Sequence, residues 1–254
     1  MYGITELHEI MTKEQILENF DPSQPGLADA TIFGLPFSAE QSEIIVIPVP
    51  WEVTVSYGSG ASKGPDAVLD ASFQVDLNHQ EFPELWKLGI YIDKPAKELK
   101  KKSKKFKKQA APIIKALESG MILDHHPSLM KDLEEINYAC SDMVEAVREQ
   151  TLNWMYQGKK VVLLGGDHST PLGYYQALAT KYDNFGILHL DAHMDLRIAY
   201  EGFTYSHASI MYNTLQIPQV SKIVQVGIRD FCEQEVEVAL KDRVLVHTDS
   251  DLKQ

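Results

Sequence analysis

Asp191, His193 and Asp195 occupy alternate positions in the run Asp191-Ala192-His193-Met194-Asp195, directly after the apolar stretch Phe185–Leu190. On an extended backbone, residues i, i+2 and i+4 point the same way, so these three polar side chains converge while Ala192 and Met194 face away. Carboxylate and imidazole donors together suit a divalent ion such as Mn²⁺. A second run, Gly165-Gly166-Asp167-His168-Ser169-Thr170, follows the apolar stretch 160–164. Its glycines permit a sharp exit from a strand and present His168 at the strand end. With His168 the set offers four ligands of mixed oxygen and nitrogen type. A bridging carboxylate could hold two ions ~3.5–4 Å apart, a spacing that activates water at neutral pH. Carboxylates buried there without partners would be strongly destabilising, so either a metal or an ion-pair network must compensate them, and the spacing favours the metal.

Other polar residues carry less. His189 shares the parity of Asp191 but lies deeper in its strand, where a hydrogen-bonded core histidine is expected. His125 and His126, beside Asp124 and Pro127, read as surface residues. The stretch 58–65 has the look of a phosphate loop but fails the Walker spacing, because Lys63 precedes its glycine and no Ser or Thr follows in place. A flexible rim loop of an active site fits better.

The elements that must carry these residues are legible as short β-branched runs at 43–49, 88–92, 160–164, 185–190, 222–227 and 243–247. They are continuous rather than alternating, as parallel strands covered on both faces are. Between them, 129–157 has apolar residues at helical spacing (Ile136, Ala139, Cys140, Met143, Val144 and Val147), with Ser128 as expected N-cap and Gly158 as C-cap. A second helix is expected over 171–182. Strands alternating with helices predict an α/β fold with a mainly parallel sheet. Both polar runs then lie at the C-terminal strand edge, where open α/β sheets bind ligands.

Composition narrows the function. The chain has 254 residues, 44% hydrophobic and 24% charged, so it is not disordered, and no apolar run reaches the ~18 residues of a membrane span. The first twenty residues have no signal-peptide core. Cys140 and Cys232 stand in no metal or redox spacing, which predicts a reducing compartment, the cytoplasm. A net charge of −12 argues against nucleic acid and for a small cationic partner. The segment 94–108 opposes this trend, with nine lysines against Glu98, and reads as a solvated helix closed by Gly120.

Taken together, these residues resemble the ureohydrolase (arginase/agmatinase) family of dinuclear manganese hydrolases. The resemblance runs from about residue 44 onward. Pro50-Trp51, Ser56-Tyr57-Gly58, Gly60, Gly64-Pro65 and Ala67 are similar to the family's first strand and rim loop, 165–169 to its first metal motif, and 191–195 to its second. The resemblance implies an arginase-like three-layer α/β/α fold. It implies that His168, Asp191 and Asp195 hold one manganese and that Asp191 and His193 share in a second. It assigns His207, with Asp191, to catalysis, His207 serving as acid/base beside the leaving amine. The implied reaction is hydrolysis of a guanidino group with release of urea, and the implied state is a homo-oligomer.

The strings 195–197, 200–202 and 205–208 resemble the agmatinase branch, which converts agmatine to putrescine and urea, a step towards polyamines. Tyr205 stands where arginases tend to carry an Asn, so an amino-acid head group is not expected to be read. Arg197 points the other way, since formimidoylglutamases carry a similar Asp-Leu-Arg. It would pair either a substrate carboxylate or a neighbouring acid. Tyr205 and Arg197 are accordingly the candidate substrate-binding residues. Formimidoylglutamase, arginase, or a truncated non-catalytic member acting by binding or assembly are the alternatives. The family's third motif, a strand ending in Asp-x-Asp, is not found, and Asp249-Ser250-Asp251 comes too early to be it. The expectation is therefore one ureohydrolase-like domain over 1–254, incomplete at its C-terminal end.

Overall fold

A computed structural model describes residues 11–26, 30–96 and 98–253. Its six strands are β1 Ile44–Val49, β2 Ile90–Ile92, β3 Lys160–Gly165, β4 Phe185–Leu190, β5 Val220–Ile228 and β6 Val244–Thr248. Its α-helices are α1 Lys13–Asn19, α2 Gly64–Ser72, α3 Leu99–Glu118, α4 Pro127–Tyr156, α5 Leu172–Lys181, α6 Ile210–Leu215 and α7 Glu233–Lys241. Every strand pairing is parallel, as the continuous apolar runs predict. The strands fall into two three-stranded sheets, ordered β2-β1-β3 and β4-β5-β6, flanked by helices. The split is a departure from the single sheet expected. Among the described residues β2 and β3 each pair with β1 alone and β4 and β6 each with β5 alone, so β3 and β4, like β2 and β6, each keep one edge without a strand partner. Leu188 and Leu190 on β4 are 67% and 70% exposed, although their types belong in a core.

The main core joins β1 and β5 to the helices. Ile45, Ile47 and Val49 are fully buried, as a strand paired on both sides and covered on both faces requires. Against them pack Ile136, Ala139, Cys140, Met143, Val144 and Val147 of α4, spaced three and four apart on one face. α5 crosses α4 closely at Gly173, where a Cβ would lie 2.1 Å from the Val144 carbonyl oxygen. The N-cap expectation for α4 needs correction. Pro127 begins the helix, its fixed φ being suited to a first helical position, and Ser128 lies within the first turn. Gly158 does terminate it, with φ of 76°.

Residues 99–108 of the lysine-rich segment open α3, which is closed by Gly120 with φ of 79°. His125 and His126 are exposed. Asp249 and Asp251 follow β6 at the far edge of the second sheet, where Asp251 accepts from the Thr248 N–H at 2.7 Å and Asp249 pairs with Lys253. No described helix is long and apolar enough to cross a membrane.

Candidate metal centre

The two polar runs meet because β1, β3 and β4 end on the same side. Beyond β3, the Gly166 N–H donates to the Val49 carbonyl at 2.8 Å and the Asp167 N–H to that of Trp51 at 2.9 Å. A Cβ on residue 166 would lie 1.9 Å from the Trp51 carbonyl oxygen, so only glycine allows this approach. The turn that follows carries His168 towards the end of β4. There His168 Nδ1 lies 2.6 Å from Asp195 Oδ2 and 3.4 Å from Asp191 Oδ2.

His168, His189, Asp191 and Asp195 each offer one donor atom, all within 4.8 Å of one another. The His168 nitrogen and the two aspartate oxygens, in partly dry surroundings, suit a first-row divalent ion. Three of the four expected ligands are thus brought together, and His193 stands apart. Its ring is 57% exposed, with Nδ1 3.4 Å from Asp191 Oδ1 and Nε2 3.7 Å from Asp230 Oδ2. The backbone explains the difference. The His193 N–H donates to Asp191 Oδ1 at 3.0 Å, bending the chain, and Asp195 adopts a left-handed φ of 53°. The run is not fully extended, so the period-two argument places two of its three residues.

His189 is also tied down, as its place in the strand predicts. Gln225, fully buried on β5, donates from Nε2 to the Met194 carbonyl at 2.7 Å and lies 3.0 Å from His189 Nδ1. With Nδ1 accepting, His189 Nε2 carries its proton and donates to Asp191 Oδ2 at 3.2 Å. His189 therefore orients Asp191, as a histidine behind a ligand does, and is not itself free to ligate. Gln225 went unnoticed in the sequence. Its signal was a lone amide within the apolar run of β5.

The electrostatics are those of a site that stays charged. Burial would raise the Asp191 carboxyl, but hydrogen bonds from His189 and the His193 N–H, with the charge of His168, hold it well below the usual carboxylate range. Burial would lower His168. The hydrogen bond to Asp195 and the charges of Asp195, Asp191 and Asp167 outweigh it and raise the imidazole. Asp167, fully enclosed, is pushed up by burial against hydrogen bonds from Ser169 and Val53.

Beside the centre lies a cavity of about 450 Å³ whose lining includes Tyr57, Asp195, Arg197, His207 and Asp230. His207 opens a short helical turn capped by Ser206, and its Nδ1 is buried with no hydrogen-bond partner among the described residues. Arg197 is turned to an internal acid, with Nε 3.7 Å from Glu235 Oε2 and its guanidinium 4.8 Å from the Tyr200 ring centre. Glu235 was also missed in the sequence. It is buried and accepts from the N–H groups of Leu196 and Cys232, joining α7 to the loop after β4. Tyr205 packs against the core and is not part of the cavity lining.

Known proteins resemble this chain in sequence and in fold. The arginase-family sequence pattern matches residues 42–254. An N(1)-aminopropylagmatine ureohydrolase of Thermus thermophilus is 31% identical over 208 residues, 81% of this chain and 57% of its own length. An agmatinase of Bacillus anthracis is 26% identical over 80% of this chain and 57% of its own. The agmatine ureohydrolase structure of Thermoplasma volcanium superposes with a TM-score of 0.63 at 20% identity, over 98% of this chain and 66% of that one, a likeness of fold. The chain spans little more than half the length of these curated relatives. It belongs to the arginase family.

Proposed function

We propose that this chain is the greater part of a manganese-dependent ureohydrolase acting on a linear cationic guanidino compound, agmatine or an extended form of it. The observation that carries this reading is the charge of the cavity. Arg197 is answered by Glu235, while Asp230 lines the space with no lysine or arginine paired to it among the described residues. Such a cavity favours a cationic tail over a carboxylate, which counts against formimidoylglutamate and arginine as substrates. The names of the relatives agree with this preference.

Within this reading, His168, Asp191 and Asp195 would hold a manganese ion. An ion held there would supply positive charge and water activation to the hydrolysis of a guanidino group. His189 and Gln225 keep Asp191 aimed. His207, which lines the cavity, would move a proton to the departing amine. Asp230 and Tyr57 line the cavity and would meet the tail of the substrate. The 254 residues are read as most of one domain, in which further backbone pairs with the open edges of β3 and β4 and adds donors for a second ion near Asp191 and His193. The test is urea release with Mn²⁺ from agmatine, N(1)-aminopropylagmatine, arginine and formimidoylglutamate, offered separately. Release from either of the first two, in clear preference to the others, is expected. Release from formimidoylglutamate alone would overturn the substrate reading and free Arg197 as a carboxylate ligand.

A further inference from the structure

The lysine-rich helix and the glycine-rich loop, far apart in sequence, meet on Glu52. Glu52 lies just past β1 and is 2% exposed. Its N–H donates to Ser103 Oγ at 2.9 Å, and its carboxylate accepts from Lys107 Nζ. Ser103 and Lys107 are four residues apart and so share a face of α3. The same carboxylate accepts from the N–H groups of Gly60 and Ser62, each at 3.0 Å, and from the Ser62 hydroxyl at 3.1 Å. Lys107 also donates to Ser59 Oγ at 2.8 Å.

The glycine-rich loop therefore does form an anion nest, and an internal carboxylate fills it. The expected rim loop is thus held at its neck. Glu52 and Gly60, eight residues apart, are cinched at one carboxylate. Between them the chain runs along the cavity, where Val55, Ser56 and Tyr57 form one wall. Tyr57 itself is 96% exposed, so nothing at the tip fixes it, and the neck of the loop must.

We infer that Glu52 and Lys107 are positioning residues: a buried latch that sets the 53–59 loop over the cavity and so governs substrate binding. The inference rests on the cavity being the substrate site. Removing Lys107 leaves a buried carboxylate without its counter-charge, a state relieved only by protonation or entry of water, either of which loosens the nest. The other lysines of α3 have no such contact with Glu52. The latch gives one residue of the lysine-rich segment a specific role.

The experiment compares Glu52→Gln, Lys107→Met, Lys107→Arg and a control, Lys104→Met, in two ways. Hydrogen exchange at the Gly60 and Ser62 amides is expected to accelerate about tenfold or more in Glu52→Gln and Lys107→Met. It should stay unchanged in Lys104→Met, with much of the protection kept in Lys107→Arg. In the Mn²⁺-loaded protein, the KM for agmatine should rise about tenfold in the first two variants, with kcat within about twofold of the parent. Unchanged exchange at Gly60 and Ser62 in Lys107→Met would overturn the latch. So would a fall in kcat at constant KM accompanied by loss of manganese, which would make Glu52 a support of the metal centre instead. Should the parent protein turn over neither agmatine nor N(1)-aminopropylagmatine, the substrate reading fails and the exchange result alone decides the latch. Should Glu52→Gln not fold, Lys107→Met carries the test, because the Lys107 side chain is 30% exposed and its loss leaves the core packing in place.

Discussion

At the scale of residues, the chemistry rests on a few contacts whose removal has separable consequences. Asp195→Asn keeps the shape of the side chain but removes the charge facing His168 Nδ1 at 2.6 Å. It should lower manganese affinity and urea release about 100-fold or more, while far-ultraviolet circular dichroism is unchanged. His207→Ala should behave differently, cutting turnover by about 10²–10⁴ with the manganese content preserved. Equal loss of manganese in His207→Ala would make His207 a ligand. Asp191, Asp195 and His168 were legible in the sequence because parity and strand ends are local signals. The displacement of His193 was not, because it depends on the Asp191 side chain capping the His193 N–H and on a left-handed Asp195. Gln225 and Glu235 come from distant segments, and their roles appear only once β5 and α7 are packed against the loop after β4.

At the scale of elements, backbone contact between β1 and β3 positions the centre. Gly166→Ala drives a Cβ into the Trp51 carbonyl and breaks the register that delivers His168. A loss of about 3 kcal/mol in urea denaturation is expected, with manganese binding weakened in parallel. Stability within error of the parent would show that the two strand ends can separate without cost. On α4, Cys140 is fully buried and burial pushes its thiol up, whereas Cys232 is partly exposed. The native protein should therefore offer a thiol reagent one cysteine, Cys232, and the unfolded protein both. The strands and the long helix were legible because continuous β-branched runs and a 3.6-residue apolar period need no partner to be recognised. The short helices α2 and α7 were not, since nine residues hold too few apolar positions to declare a period.

At the scale of the molecule, parallel order was legible and the arrangement into two sheets was not. Continuous apolar runs say that a strand is covered on both faces, but they do not name its neighbours. The open edges of β3 and β4 have a measurable consequence. Amides of β1 and β5, paired on both sides, should be the slowest to exchange, and outward-facing amides of β3 and β4 should exchange as fast as loops. Slow exchange at those edges would mean that another copy or another segment covers them. Metal binding gives a second global readout, because an ion that binds only the folded chain stabilises it, by about 2.7 kcal/mol at a hundredfold excess over Kd. His168, Asp191 and Asp195 are proposed to hold manganese. Elemental analysis of dialysed protein, parent beside Asp195→Asn, tests it most directly. About one manganese per chain in the parent and near none in the variant is expected. No manganese in the parent, or equal manganese in both, would contradict it.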